Sequence, residues 1–108
     1  MFGFSPSPHT ISVHDAHTRI EENGHCLLDV RTIEEVSETG IPGSLNIPLD
    51  RLGSEAHRLS TYTSIHVICR SGGRSAMATN ILHSLGMTHA KNVDGGIIAW
   101  SNANLPLV

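Results

Sequence analysis

Three short apolar runs, "HCLLDV" (25–30), "SIHVIC" (64–69) and "AKNV" (90–93), are separated by stretches too long for hairpins and patterned like helices. No other feature constrains the fold as much. Apolar residues recur at helical spacing at Leu49, Leu52, Ala56 and Leu59, and again at Ala78, Ile81, Leu82 and Leu85 until Gly86 stops the pattern. Ser12, with Asp15 three residues on, opens another helix carrying Val13, Ala16 and Ile20 on one face. "TIEEV" reads as a brief helix and "GGIIAWSNA" as a final one. Strands joined through helices run parallel, because parallel neighbours need crossovers. The expected fold is α/β, a small domain with a central, mainly parallel sheet flanked by helices on both faces. "GIPGSLNIP" (40–48) reads as irregular and turn-rich, with Leu45 and Ile47 turned inward. Residues 1–10 read as a loose lead-in and 11–108 as one domain.

In such a sheet, reactive groups collect at the carboxyl ends of the strands. That sorts the two cysteines. Cys26 begins its run and belongs in the core or at the far edge, where an apolar setting leaves a thiol inert; Cys69 ends its run at the functional edge. With two cysteines and no CxxC pair there is no disulfide framework. "MFGFSPSPHT" has neither the basic nor the apolar region of a secretory signal, and no apolar run approaches the roughly 20 residues of a membrane helix. A reducing cytoplasm is the expected home. A net charge of −3 argues against broad binding to nucleic acid or anionic membranes. Eight histidines invite a metal reading, but His14 and His17 have no further ligands at motif spacing, so neither a metal nor a cofactor is expected.

Beyond Cys69 the chain has the layout of a phosphate loop with a sulfur at its centre: Arg70, Ser71, Gly72, Gly73, Arg74, Ser75, then a helix. Both glycines are free to take positive φ, so the backbone can curl and aim successive N–H groups inward. The next helix points its N-terminus at the same spot, and the two arginines add full charges. All of these favour thiolate over thiol. Cys69 is the expected nucleophile, with residues 70–75 as an anion-binding cradle. Asp29 interrupts a buried strand and needs a partner there. Arg31 lies two residues on, with Glu34 or Glu35 placed to pair with it. Asp29 and Arg31 are expected to support the site rather than react.

The chain resembles the rhodanese-like sulfurtransferases from about Ile11 to Pro106. "LLDVRTIEEV" with "IPGSLNIPL" looks like the family's first-half signature, "VICRSGGRSA" is similar to its C-x-x-G-x-R-S segment, and "NVDGGIIAW" with "NLPL" resembles its C-terminal signature. Ile33, Thr39-Gly40 and Asn104 depart from the family pattern outside the reactive loop. The resemblance implies a rhodanese-like domain. In it, Cys69 takes a sulfane sulfur from thiosulfate or a similar small anion, holds it as a persulfide, and passes it to cyanide or a thiol, a protein thiol included. A sulfur relay between protein partners would use the same persulfide. A phosphatase or arsenate reductase of related fold ranks lower, because those loops resemble C-x5-R whereas four residues separate Cys69 from Arg74. A non-catalytic binding module ranks lower still, since the cysteine is present.

Overall fold

Helices begin where local chemistry supplies a start. In the computed structural model, which describes residues 9–108, the Ser12 hydroxyl accepts the Asp15 N–H at 3.1 Å and opens helix α1 (Val13–Arg19). Thr32 and Glu35 form a reciprocal capping box at the start of α2 (Ile33–Glu38), satisfying two N–H groups that the first turn leaves free. Helices α4 (Gly73–Ser84) and α5 (Gly96–Asn102) each follow a left-handed glycine, Gly72 at φ +116° and Gly95 at φ +79°. The 49–59 segment keeps its predicted apolar spacing but not a continuous α-helix. It runs as a 3-10 turn (Leu49–Arg51), a single α turn α3 (Leu52–Glu55) and a second 3-10 turn (Ala56–Leu59). No side chain caps these pieces, and Gly53 within them is a weak helix former.

Five parallel strands form the sheet: β1 (Thr10–Ile11), β2 (His25–Asp29), β3 (Leu45–Asn46), β4 (Ser64–Ile68) and β5 (Ala90–Val93). Their spatial order is β1-β5-β4-β2-β3. This is the expected parallel α/β sheet, extended at each edge by a two-residue strand too short to leave a periodic signature. Of the proposed lead-in, residues 1–8 lie outside the described residues, and Thr10 already pairs with Asn92.

Side chains alternate between two apolar layers, as strand geometry requires. Cys26, Leu28, Ile65, Val67 and Ala90 pack with Leu52, Leu59, Ala78 and Leu82 on one face. Leu27, Ile68 and Val93 pack with Val13, Ala16, Ile97 and Trp100 on the other. Trp100 is fully buried, and its indole N–H donates to the Pro106 carbonyl at 2.9 Å. Because all strands run the same way, the turns after β2, β4 and β5 gather at one edge of the sheet. Cys69 is there.

Candidate active site

Cys69 leaves β4 with its side chain on the α4 face, and only 1% of the residue is exposed. Gly72 then reverses the chain, and α4 starts directly above the sulfur. The Gly72 N–H donates to Sγ at 3.0 Å, the Ser75 hydroxyl lies 3.2 Å from it, and the N–H groups of Ser71 and Ser75 reach the same atom. Burial alone raises this thiol's pKa. The hydrogen bond shared with the Ser75 hydroxyl and those from the N–H groups of Ser75, Gly72 and Ser71 outweigh it and hold Cys69 below an ordinary thiol. Of the two loop glycines only Gly72 needs its freedom. Gly73 has no positive φ, and a methyl added there would meet nothing within 4 Å.

The cradle is held from behind by α5. The N–H groups of Ile97 and Ile98 donate to the carbonyls of Cys69 (2.9 Å) and Arg70 (3.1 Å). Tying the carbonyls outward leaves the loop's N–H groups facing the sulfur. Gly96 (φ +60°) makes this approach possible, since a Cβ there would lie 2.5 Å from both carbonyl oxygens.

The arginines differ. Arg74 is bound by Glu35 through two hydrogen bonds, Nη1 to Oε1 at 2.6 Å and Nη2 to Oε2 at 2.9 Å. That pairing, opposed by slight burial and helped by Thr32, holds the Glu35 carboxyl down at about 2. Glu35 is therefore not the side-chain partner of Arg31 that its position suggested. Arg31 instead grips Asp29, with Nη2 to Oδ2 at 2.8 Å and Nε to Oδ1 at 3.1 Å, and donates to the Thr39 carbonyl at 2.7 Å. The pair is buried and knits β2 to the end of α2, a supporting position. Arg70 is exposed, and among the described residues no carboxylate pairs with it.

Beside Arg74 lies a cavity of about 320 Å³ lined by Val30, Thr32, Pro48, Leu49 and Asp50. A larger one of about 550 Å³, lined by Asp15, Arg19, His25, His66, Lys91 and Asp94 among others, contains no loop residue. Reactive chemistry rather than volume locates the site. Among the described residues no three His, Cys, Asp or Glu side chains are grouped to hold a metal ion. Asn92, 2.5 Å from the Ser75 hydroxyl, is a site residue that the sequence did not single out, and Glu35 was expected only as a partner for Arg31. The Thr32-x-x-Glu35 capping pattern and the polar residue alternating with Ala90 in β5 were the available signals.

Cys26 is buried near the start of β2, and burial pushes its thiol up to about 11 despite a hydrogen bond with Tyr62. It sits opposite Ile65. Cys69 is four residues beyond Ile65, about 13 Å along the sheet at about 3.3 Å per residue, well past disulfide reach. At neutral pH Cys26 is held as the thiol. A small alkylating agent at neutral pH is therefore expected to label Cys69 first, as read by peptide mass mapping. Equal or faster labelling of Cys26 would contradict the site's electrostatics.

A family model for the rhodanese-like domain matches residues 12–103. Thiosulfate sulfurtransferase 16, chloroplastic, of Arabidopsis thaliana is 36% identical over 111 residues, covering 92% of each chain. The adenylyltransferase and sulfurtransferase UBA4 of Meyerozyma guilliermondii is 35% identical over 98 residues, covering 83% of this chain; the match spans 23% of that longer protein. A crystal structure of a rhodanese-related protein from Thermoplasma volcanium superposes with a TM-score of 0.84 at 33% identity, covering 93% of this chain and 97% of that one.

Proposed function

This chain belongs to the rhodanese-like domain family, whose members include sulfurtransferases, and from that premise we propose that it moves sulfane sulfur from thiosulfate or a similar anion through a persulfide on Cys69. The Cys69 thiolate attacks the outer sulfur of the donor. A new S–S bond forms as the old one breaks, and sulfite leaves with the bonding electron pair. A thiolate or cyanide acceptor then attacks the outer sulfur of the persulfide, and the electron pair returns to Cys69. The donors that hold the resting thiolate also stabilise it as it departs in this second step. The observation that carries the reading is that the Gly72 N–H and the Ser75 hydroxyl lie 3.0 and 3.2 Å from Sγ itself, at the start of α4.

A phosphatase would need its donors around an oxyanion above the sulfur and an arginine free to grip it. Here the loop is one residue shorter than C-x5-R, and Arg74 is committed to Glu35. A relay role between proteins uses the same chemistry. It is supported by a relative whose sulfurtransferase region is joined to an adenylyltransferase, and by the apolar cavity beside Arg74, which gives a larger acceptor something to rest on. Since the chemistry requires a free thiolate, we assign the protein to a reducing compartment such as the cytoplasm. Among the described residues no helix is long and apolar enough to cross a membrane.

The test is intact mass spectrometry before and after thiosulfate, then after cyanide. Gain and then loss of one sulfur atom at Cys69 is expected; no gain with thiosulfate would overturn thiosulfate as donor. Steady-state kinetics separate the arginines. Unpaired Arg70 is placed to meet the donor anion, so Arg70→Ala should raise KM several-fold with little change in kcat and weaken the inhibition by added salt. Arg74→Ala should lower kcat by about tenfold, since α2 and α4 lose their brace and the cradle loosens. Unchanged constants in both variants would leave the backbone donors as the whole site.

A further inference from the structure

Ser75 has one hydroxyl hydrogen and three neighbours able to take it. The Asn92 side-chain oxygen lies 2.5 Å from Oγ, the Gly72 carbonyl 3.2 Å and the Cys69 sulfur 3.2 Å. A hydroxyl donates once and accepts through its lone pairs, so these contacts compete. The Asn92 contact is the shortest, at the strong end of O–H···O geometry. While the hydrogen points to Asn92, Ser75 turns lone pairs toward the sulfur. That orientation suits a thiol, which donates S–H to Ser75, and disfavours a thiolate. For Ser75 to serve the thiolate its hydrogen must turn to Sγ, leaving two oxygen atoms 2.5 Å apart with no hydrogen between them. Asn92 is in turn fixed by β5, where it pairs with Val67 and Thr10, and by a long contact from its amide to the Gly72 carbonyl at 3.4 Å.

We propose that Asn92 is a positioning residue which, by competing for the single hydrogen of Ser75, sets how readily Cys69 gives up its proton and how strongly the sulfur attacks. The inference rests on the reading of Cys69 as the sulfur carrier. It explains why a site rich in donors would keep a strong acceptor beside one of them. A thiolate stabilised by every donor ionises at lower pH but is a weaker nucleophile, and the best attacking thiol ionises near ambient pH. Asn92 competes for one donor and so weakens its hold on the resting sulfur, trading ionisation for nucleophilicity.

The charged groups around Cys69 are Arg70 on the loop, Arg74 on α4 with Glu35 of α2 behind it, the Asp29–Arg31 pair at the end of β2, and Asp94 where β5 turns into α5. Asn92→Leu alters none of them, and in a Ser75→Ala background the hydrogen in question is gone. The experiment is the rate of Cys69 alkylation by iodoacetamide from about pH 4 to 10, read by mass, in wild type, Asn92→Leu, Ser75→Ala and the double variant. The Asn92→Leu profile should move to lower pH, with alkylation on its acid limb about fivefold faster, the equivalent of roughly one hydrogen bond regained by the thiolate. Its high-pH plateau should fall below that of wild type. In the Ser75→Ala background the leucine should change the profile by less than about twofold. An unmoved or upward-shifted Asn92→Leu profile overturns the proposal, as does the same shift persisting without Ser75. If Asn92→Leu does not fold, Asn92→Asp supplies a stronger acceptor at the same place and should move the profile to higher pH, more so with Ser75 present than without; any other result overturns it. Alkylation needs no sulfur donor, so failure to load sulfur from thiosulfate would count against the transfer reading and leave this test standing.

Discussion

Cys69→Ser is expected to abolish sulfur transfer, lowering turnover by at least about a thousandfold, while leaving the fold intact. A covalent carrier cannot be replaced by a group that does not ionise near neutral pH and does not form a bond to sulfane sulfur. The fold should survive because the change is nearly isosteric and keeps an acceptor for the Gly72 N–H and a partner for the Ser75 hydroxyl, 3.0 and 3.2 Å from the present sulfur. Turnover and thermal melting together check this. Residual activity above about one per cent, in protein melting like wild type, would remove Cys69 from the chemistry. Cys26→Ser should retain most activity, since that thiol faces the core about 13 Å away along the sheet; a comparable loss there would make it a relay thiol.

Gly96→Ala is expected to be the most damaging change that removes no reactive group. The new methyl would lie 2.5 Å from the carbonyl oxygens of both Cys69 and Arg70, and the backbone would remain at φ +60°, a conformation that costs a non-glycine residue roughly 1–2 kcal/mol before any clash. The neighbours are backbone atoms of the cradle and cannot swing aside. The expected loss is roughly 2–4 kcal/mol, lowering Tm by more than about 10 °C. The loop's N–H groups should also turn from the sulfur, slowing alkylation of Cys69 at neutral pH. Gly73→Ala is the internal control: with nothing within 4 Å and no positive φ, it should be neutral within about 0.5 kcal/mol. Similar melting of the two variants would mean that α5 does not hold the loop.

The alternation of apolar runs with helical spacing was enough to read the parallel sheet and the position of Cys69 at its carboxyl edge, because both follow from periodicity and chain connection. Strands β1 and β3 escaped, since two residues carry no period. The 49–59 segment kept its buried residues while changing helix type, because burial of Leu52, Ala56 and Leu59 is compatible with either winding. Within the site, what was legible was what lies close in sequence: the cysteine, the glycine at positive φ and the short loop. The pairing of Arg74 with Glu35, 39 residues apart, and of Ser75 with Asn92, 17 apart, depends on how elements pack. No spacing rule within one segment announces such contacts. Arg31 illustrates the same limit. Asp29 was expected to need a partner and Arg31 to pair with a nearby glutamate; the two pair with each other, and Glu35 is taken by α4 reaching across.

The clamp of α5 on the cysteine loop also orders events in time. Cys69 is synthesised well before Ile97 and Ile98, whose N–H groups fix its carbonyl and that of Arg70. At about 5–20 residues per second, the intervening stretch takes roughly a few seconds to make. During that interval β4 and the start of α4 can exist, but the loop has no tether and its N–H groups have no fixed aim. The thiol is therefore expected to reach its full reactivity when the final helix docks. A nascent or prematurely ended chain would carry Cys69 with the ionisation of an ordinary thiol, without the hydrogen bonds that lower it in the folded chain.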